Sequence, residues 1–409
     1  MERSSVDPVP ALQTRDTAPG RPRLASVDAL RGVVMFLLFG EWLKSCAVAE
    51  ALPTSALWSF ICQQQSHAEW AGWHLHDLIQ PTFTFLVGLS MPLSIASRRA
   101  RGESNRALMM HAVSRAAIFV VLGVAVLSMH PRIILWKFED TLAQIGLGYA
   151  FVFALALAGP RWWRGALVVI LLATWLAFAA YPIAGPDYDF SAVGVTPQWL
   201  QQYGFSGWQS HWQKNANIGA AVDAHFLPLF PGNAGYFAPK GLVTLNFVPT
   251  MATMILGLSA GRALTMTGTA APRLRNLLTM GALGIASGVV LDATGLCPMV
   301  KSLWTPSWVL FSGGICFVLV AVLHWFVDLK GHRRAVFALT VVGTNSLAAY
   351  LLFHLYRAVA WGALHRLFGD APFALFGAAY QPFTYGLSLM LLAWLFLYAL
   401  HRAGWFLRI

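Results

Sequence analysis

The chain has 409 residues, of which 57% are hydrophobic and only 11% charged, with a formal net charge of +11. Soluble proteins carry roughly a quarter charged residues, and a soluble chain of this length would divide into two or three polar-surfaced domains. The composition therefore argues for one all-α, polytopic integral-membrane domain and makes nucleic-acid binding an unnecessary explanation of the basic balance.

In chain order, Met1 to Pro22 is rich in Pro, Ser, Thr and Arg, has no apolar run, and is expected to be a disordered cytoplasmic tail. Ten apolar stretches follow, read as spans at Leu30–Leu43, Leu75–Ile95, Ala107–Met129, Thr141–Leu157, Ala166–Ile183, Val243–Leu264, Leu277–Asp292, Trp308–Phe326, Val336–Tyr356 and Phe383–Leu400. The first carries Arg31, Glu41 and Lys44 at or near its ends with no clean cleavage pattern after it, so it is expected to be retained rather than removed as a signal peptide. A long segment, 185–241, rich in Trp, Asn, Gly and Pro, separates the fifth span from the sixth.

Lys and Arg collect in cytoplasmic connections. With ten spans, 20 of the 28 basic residues fall on one side, including Arg31, Arg98, Arg99, Arg115, Arg262, Arg273 and Arg402. The other side holds Lys44, Arg132, Lys137, Lys214, Lys240, Lys301, Arg357 and Arg366, together with most of the acids. Both termini are thereby expected in the cytoplasm, and segment 185–241 outside.

The four cysteines have no metal-ligand spacing, and no zinc motif, dinucleotide fingerprint or Walker loop occurs, so no metal is expected. Cys46, Cys62 and Cys297 fall near the outer face, where a Cys46–Cys62 disulfide could form. Ionisable groups at membrane depth usually face a cavity or a partner. Glu41, His67, Glu69, His74, His76, Asp77, Glu139, Asp140, Asp292 and His354 all fall at similar depth on the outer side, as an outward-facing polar chamber would require. Each also has a plainer explanation: Glu139 and Asp292 as solvated anchors, His74 and His76 as interfacial rings.

Several blocks carry a resemblance. Arg23 to Gly32, His67 to Gly72 and Asp77 to Gly88 resemble the heparan-α-glucosaminide N-acetyltransferase family; Gly241–Leu245, Ala252–Gly261, Lys301–Ser307 and Val342–Tyr350 continue that resemblance in the same order. It extends from Arg23 to the C-terminus and implies a transmembrane acyltransferase domain over 23–409. Such an enzyme takes acetyl from cytoplasmic acetyl-CoA and passes it to an acceptor on the far side, a terminal glucosamine amine in the best-known members. A bacterial inner-membrane location is expected from the lack of the long luminal domain of eukaryotic members.

The family's catalytic histidine corresponds to His67. Acetyl transfer needs a group that takes the proton of the attacking amine or hydroxyl, and imidazole suits this; attack by His67 itself on the thioester is equally open. Without the resemblance, His67 beside Trp70 and Trp73 reads as an interfacial histidine. Asp77 could orient the imidazole or an acceptor ammonium. Where heparan-type members have an asparagine shortly before the histidine, this chain has Glu41, which suggests a more negative chamber.

For acetyl-CoA the candidates are Arg31, Arg98 and Arg99, whose guanidinium groups match phosphate oxygens, with Asn345 and Ser346 along the acyl path. Arg31 reads equally as the partner of Asp28, and Asn345 and Ser346 as polar contacts between helices. For the acceptor the candidates are Asn215, Asn217, Asp223 and Trp212, which folding of the outer segment explains equally well. Beyond the bilayer, acetyl-CoA and a sugar or glycan acceptor, a homo-oligomer is compatible with the sequence. A transporter of a polar solute through the same chamber and a structural subunit of a membrane complex are the alternative readings.

Overall fold

The computed structural model describes residues 24–129, 134–233, 235–266 and 268–407. The expected N-terminal tail, Met1 to Pro22, and Arg132 lie outside the described residues. All regular structure among the described residues is helical, apart from one isolated antiparallel bridge between Ala71 and Val300.

Among the described residues nine helices are long and apolar enough to cross a membrane, and a tenth span is a bent pair. The spanning helices are α1 (Ala25–Phe39, running on through a 3-10 turn at Gly40–Leu43 and short α2, Ser45–Ala51), α4 (Ile79–Ala100), α5 (Asn105–Leu127), α6 (Thr141–Ala158) and α7 (Pro160–Ala180). They continue with α10 (Phe247–Thr265), α11 (Ala270–Ala293), α12 (Pro306–Leu323) and α15 (Gln381–Ala403). The short helices α3 (Ala56–Gln65), α8 (Pro197–Tyr203) and α9 (Ile218–Phe226) lie in connections.

The expected ninth span, Val336–Tyr356, is broken. Helices α13 (Phe337–Gly343) and α14 (Ser346–Phe368) meet at a 79° bend, and α14 runs twelve residues beyond the expected end. The reason for the break lies in packing. A Cβ on Gly343 would stand 1.7 Å from the Asp28 carbonyl oxygen, and one on Gly32 would stand 2.0 Å from that of Leu339, so α1 and α13 touch backbone to backbone. Small residues drive such approaches in membranes, where apolar surface gains nothing by leaving lipid.

The same device holds the centre. Helix α10 buries most of its length, and Gly257 and Gly261 meet the Phe85 and Leu89 carbonyls of α4 at 1.9 and 2.2 Å from a built Cβ, while Gly88 of α4 meets that of Met254 at 1.9 Å. Around this seam lie Phe85, Leu86, Leu89, Ile255 and Phe317, all buried. Rigid, closely spaced α1, α4 and α10 form the frame on which the polar groups are mounted.

Segment 185–241 folds onto the end of the bundle. Trp212 is fully buried in a cluster with Trp70, Phe178 and Val243, and its carbonyl accepts the Trp70 indole N–H at 3.2 Å. Cys46 of α2 and Cys62 of α3 are joined by a disulfide, which ties the two short helices together beside the loop that carries His67.

Candidate active site

The loop from Ser66 to His74 is organised by one carboxylate. Asp77, 1% exposed, stands in the 3-10 turn Leu75–Leu78 that opens α4. Its Oδ2 accepts the backbone N–H groups of Ala68 (3.1 Å) and His74 (2.9 Å), closing the loop into a ring. Its Oδ1 lies 2.7 Å from Nδ1 of His67 and 2.9 Å from the Lys301 ammonium.

Lys301 arrives from 234 residues away by a definite route. The Ala71–Val300 bridge and the Gly72 N–H to Met299 carbonyl bond (2.9 Å) fasten the His67 loop to the turn after α11. Asp292 at the end of α11 accepts the Met299 N–H at 2.7 Å, and Trp304, in the left-handed region at φ 49°, reverses the chain after Lys301–Leu303. A bulky residue in that region is uncommon, and Trp304 is held there by burial and by its indole bond to Thr253 at 3.0 Å. Asp292, half-buried, thus has a structural partner in the turn that carries Lys301.

Two groups meet Nδ1: the Asp77 carboxylate at 2.7 Å, which accepts a hydrogen from it, and the Lys301 ammonium at 2.9 Å, which can only donate. The shorter Asp77 contact favours the tautomer with hydrogen on that nitrogen, as in the oriented histidines of catalytic triads. Nε2 of His67 then keeps its lone pair, and the ring, 39% exposed, borders the chamber. Burial and the nearby Lys301 charge hold the His67 pKa below the ordinary 6.5, with Asp77 pulling the other way. Burial lowers the Lys301 pKa as well, opposed by Asp77.

Beside His67 sits a second pair. His76 is buried, with its ring centroid 4.8 Å from that of His67 and Nε2 2.8 Å from a Glu41 carboxylate oxygen. His76 is therefore a wall of the chamber rather than an interfacial ring; its position one residue before Asp77 was the sequence signal, but period alone does not say which face of a 3-10 turn is buried. Glu41, His67 and His76 present ligand atoms within 4.8 Å of one another, two imidazoles and a carboxylate of the kind zinc uses, although no ligand motif marks the set in sequence.

These groups border a cavity of about 640 Å³, within the usual range for small-molecule sites. Glu139, Asp140, Lys240, Tyr350 and His354 also line it. Asp140 caps α6 through the Leu142 N–H (2.8 Å) and accepts the Tyr350 hydroxyl (2.8 Å); burial pushes its pKa up to about 6. Burial also raises Glu139, which accepts the Tyr236 hydroxyl at 3.2 Å.

A second cavity of about 300 Å³ lies further along the same helices, bordered by Arg31, Ser90, Arg115, Phe119, Thr344 and Ser346. On α1 the chamber takes Met35, Leu38 and Glu41 and the second cavity Arg31; on α14 the chamber takes Tyr350, Phe353 and His354 and the second cavity Ser346 and Leu347. Phe83 borders both, stacked on Tyr350 with centroids 6.1 Å apart. The two spaces therefore follow one another along these helices and share Phe83 as a wall.

The structure thus brings His67, Asp77 and Glu41 to one chamber, and Arg31 and Ser346 to the second cavity. Arg31 also bonds Asp28 at 2.9 Å and Ser90 at 2.5 Å. Arg98 and Arg99 lie elsewhere, on the α4–α5 hairpin with Glu103, His111 and Asn105 as partners. The Asn345 side chain holds the C-terminal segment through the Trp405 carbonyl (3.0 Å) and the Leu407 N–H (2.9 Å).

Among the outer-segment candidates, Asn215 adopts the left-handed conformation and bonds the Val193 and Ala238 carbonyls; Asn217 caps α9 and bonds the Gln213 carbonyl. Asp223 accepts the Thr244 N–H. Trp212 is core. Sequence reasoning missed Lys301 as a site residue and Arg115, whose Nε is buried with no hydrogen-bond partner among the described residues and whose guanidinium lies over Phe119 and Tyr149.

No protein-family model matches the chain. Two curated relatives do: heparan-alpha-glucosaminide N-acetyltransferase of Homo sapiens is 24% identical over 353 residues, which is 76% of this chain and 50% of the relative. The Mus musculus protein of the same name is 23% identical over 371 residues, 80% of this chain and 53% of the relative. The chain spans about half the length of the curated relatives it matches.

Proposed function

We propose that this multi-pass membrane protein is an acetyltransferase that carries acetyl from acetyl-CoA, bound at the Arg31–Arg115 end, to an amine or hydroxyl of a sugar or glycan in the chamber at the His67 end. The observation that carries the reading is the succession of the two cavities along α1, α4 and α14, with Phe83, stacked on Tyr350, bordering both. A thioester at the end of a long, narrow arm can reach through such a constriction while its phosphates stay with the guanidinium groups.

The chamber end is assigned to the outside of a bacterial inner membrane, and the Arg31 end to the cytoplasm. Charge asymmetry supports that orientation, and so does the Cys46–Cys62 disulfide near the His67 loop, because disulfides persist in oxidising compartments.

In the reaction, His67 Nε2 takes the proton of the attacking group as its nitrogen or oxygen bonds to the acetyl carbon, and the carbon–sulfur bond breaks. The imidazolium then returns its proton to the departing thiolate. Asp77 orients the ring and stabilises its charged form, while Lys301 keeps it neutral beforehand. An acceptor amine must be uncharged to attack, and Glu41, held ionised beside His76, is placed to accept a hydrogen bond from the acceptor rather than its proton.

The test is transfer of labelled acetyl to glucosamine and short glucosamine oligomers by the purified chain in vesicles. His67→Ala should abolish product while thermal unfolding stays unchanged; full activity in that variant defeats the assignment.

A further inference from the structure

The chamber holds a set of groups that proton transfer alone does not use. Glu41, His67 and His76 bring one carboxylate oxygen and two ring nitrogens within 4.8 Å of one another, from three separate supports. Glu41 stands in the Gly40–Leu43 turn, whose Trp42 carbonyl oxygen lies against α15, 1.9 Å from where a Cβ on Gly386 would stand. His76 is 4% exposed in the turn that opens α4, and Asp77 fixes the His67 ring. The three donors are thus presented by short turns and a tied loop.

Two imidazoles and a carboxylate suit zinc, whereas magnesium and calcium prefer oxygen ligands. A histidine that ligates zinc usually gives its other ring N–H to a carboxylate, and His67 meets Asp77 in this way through Nδ1 at 2.7 Å, leaving Nε2 for an ion. Tetrahedral zinc with bonds of about 2.0–2.1 Å sets its ligand atoms about 3.4 Å apart. The Glu41–His76 edge is already 2.8 Å, so side-chain rotation has to close the widest gap by about 1.4 Å at most. An ion on that edge replaces the hydrogen bond: the hydrogen on Nε2 of His76 passes to Nδ1 of the same ring, and Nε2 and Glu41 both turn lone pairs to the metal.

Access and charge agree with this. The Glu41 and His67 side chains are 36% and 39% exposed, and five carboxyl groups line the chamber against three ammonium groups. Lys301, 2.9 Å from Nδ1 of His67, opposes a cation, but the Asp77 carboxylate is as close to its ammonium. We propose that Glu41, His67 and His76 form an inhibitory zinc site, in which the ion takes the Nε2 lone pair of His67 out of acetyl transfer until the metal is withdrawn. The site stands on the ligand geometry; the inhibition rests on the reading of His67 as the base.

Binding in the absence of acetyl-CoA and acceptor tests the site separately from catalysis. Zinc, magnesium and calcium chlorides are titrated calorimetrically into the untagged, metal-stripped full chain in detergent. One zinc per chain should bind, at least about a hundredfold more tightly than magnesium or calcium. His76→Gln keeps a donor for Glu41 but no zinc ligand, and it should weaken zinc about a hundredfold or more, since loss of an outer partner alone costs about 10- to 100-fold. His67→Ala should do the same, and either variant suffices where the other fails to fold.

In the transfer assay zinc should stop the wild-type reaction with half-inhibition at the calorimetric Kd, unrelieved by saturating acetyl-CoA, and EDTA should restore the full rate. Zinc held no better than magnesium, or tight binding that survives both histidine substitutions, overturns the site. Transfer that is lost to EDTA and regained with zinc overturns the inhibition and makes the ion a working part. Zinc bound as expected while transfer proceeds at full rate overturns His67 as the base and leaves the zinc site standing.

Discussion

The His67–Asp77–Lys301 arrangement makes a prediction with a sign that can go either way. Acetyl transfer requires neutral imidazole, so kcat/KM should fall on the acid side as pH drops through the His67 pKa, which burial and Lys301 place below 6.5. Replacing Lys301 by Met removes a positive charge whose nitrogen lies 2.9 Å from Nδ1. Two unit charges about 4 Å apart interact by about 1 kcal/mol in water and about 4 kcal/mol at an effective dielectric constant of 20. At about 1.4 kcal/mol per pKa unit this bounds the change between about 0.7 and 3 units. Because the His67 side chain is 39% exposed, solvent screening favours the lower end, and an upward shift of about one unit is expected.

Asp77→Asn removes the charge that raises the His67 pKa and leaves Lys301 unpaired beside the ring, so the acid limb should move down by a similar amount. The maximal rate of that variant falls as well, since the Asn amide must face either two backbone N–H groups or two side-chain donors. Initial rates of acetyl transfer from pH 4.5 to 8 for the three proteins decide the matter. Acid limbs that move together, or do not move, refute the idea that this triad sets the base.

Arg115→Met should raise KM for acetyl-CoA about tenfold with little change in kcat, as loss of one charge-assisted contact to phosphate would, read from saturation curves. Gly257→Val places side-chain atoms where even a Cβ meets the Phe85 carbonyl oxygen at 1.9 Å, so the variant should fail to yield a folded, monodisperse protein in detergent. The double change Cys46→Ser and Cys62→Ser opens a loop of 16 residues and should cost up to about 3 kcal/mol of stability, seen as a lower unfolding temperature; the wild-type thiols should become alkylatable only after reduction. Chelator treatment should leave transfer intact if His67 works as a base; activity lost to EDTA and restored by zinc would instead assign Glu41, His67 and His76 to a metal.

Much of the fold was legible because a bilayer leaves little choice: runs of about twenty apolar residues must be helices, and the spans expected at Thr141–Leu157 and Val243–Leu264 match α6 and α10 within a few residues. The break in the ninth span was not legible. Val336 to Tyr356 is apolar but for Thr340, Thr344, Asn345, Ser346 and His354, polar residues that spans tolerate, and the close contact of Gly343 with α1 at the bend involves a neighbour that local sequence does not name. The site divided in the same way. His67 and Asp77 stand ten residues apart and were readable together from the resemblance, whereas Lys301 joins them only through a bridge between distant loops. Arg98 and Arg99 have the right chemistry for phosphate, but their helix ends in an exposed hairpin that satisfies them locally. Arg115, on the next helix, had no signal beyond its charge.

The same geometry bears on transfer against transport. A solute carrier needs a polar route that opens alternately to the two sides, commonly built from interrupted helices whose freed backbone groups bind the cargo. Here the one bent span among the described residues has its interruption filled from within, because Asn345 at the bend spends its amide on the Trp405 carbonyl and the Leu407 N–H. Phe83, 9% exposed, borders both cavities and lies against a Tyr350 ring fixed by its hydroxyl bond to Asp140. A hydrated sugar would have to shed its water against two aromatic faces to pass, and no polar group on that pair is free to replace it. An acetyl group has no such shell to lose and one oxygen to accommodate. The constriction therefore discriminates by hydration: it favours passing an acyl unit on a flexible arm over passing a solute, and widening it by Phe83→Ala should admit water without creating sugar uptake.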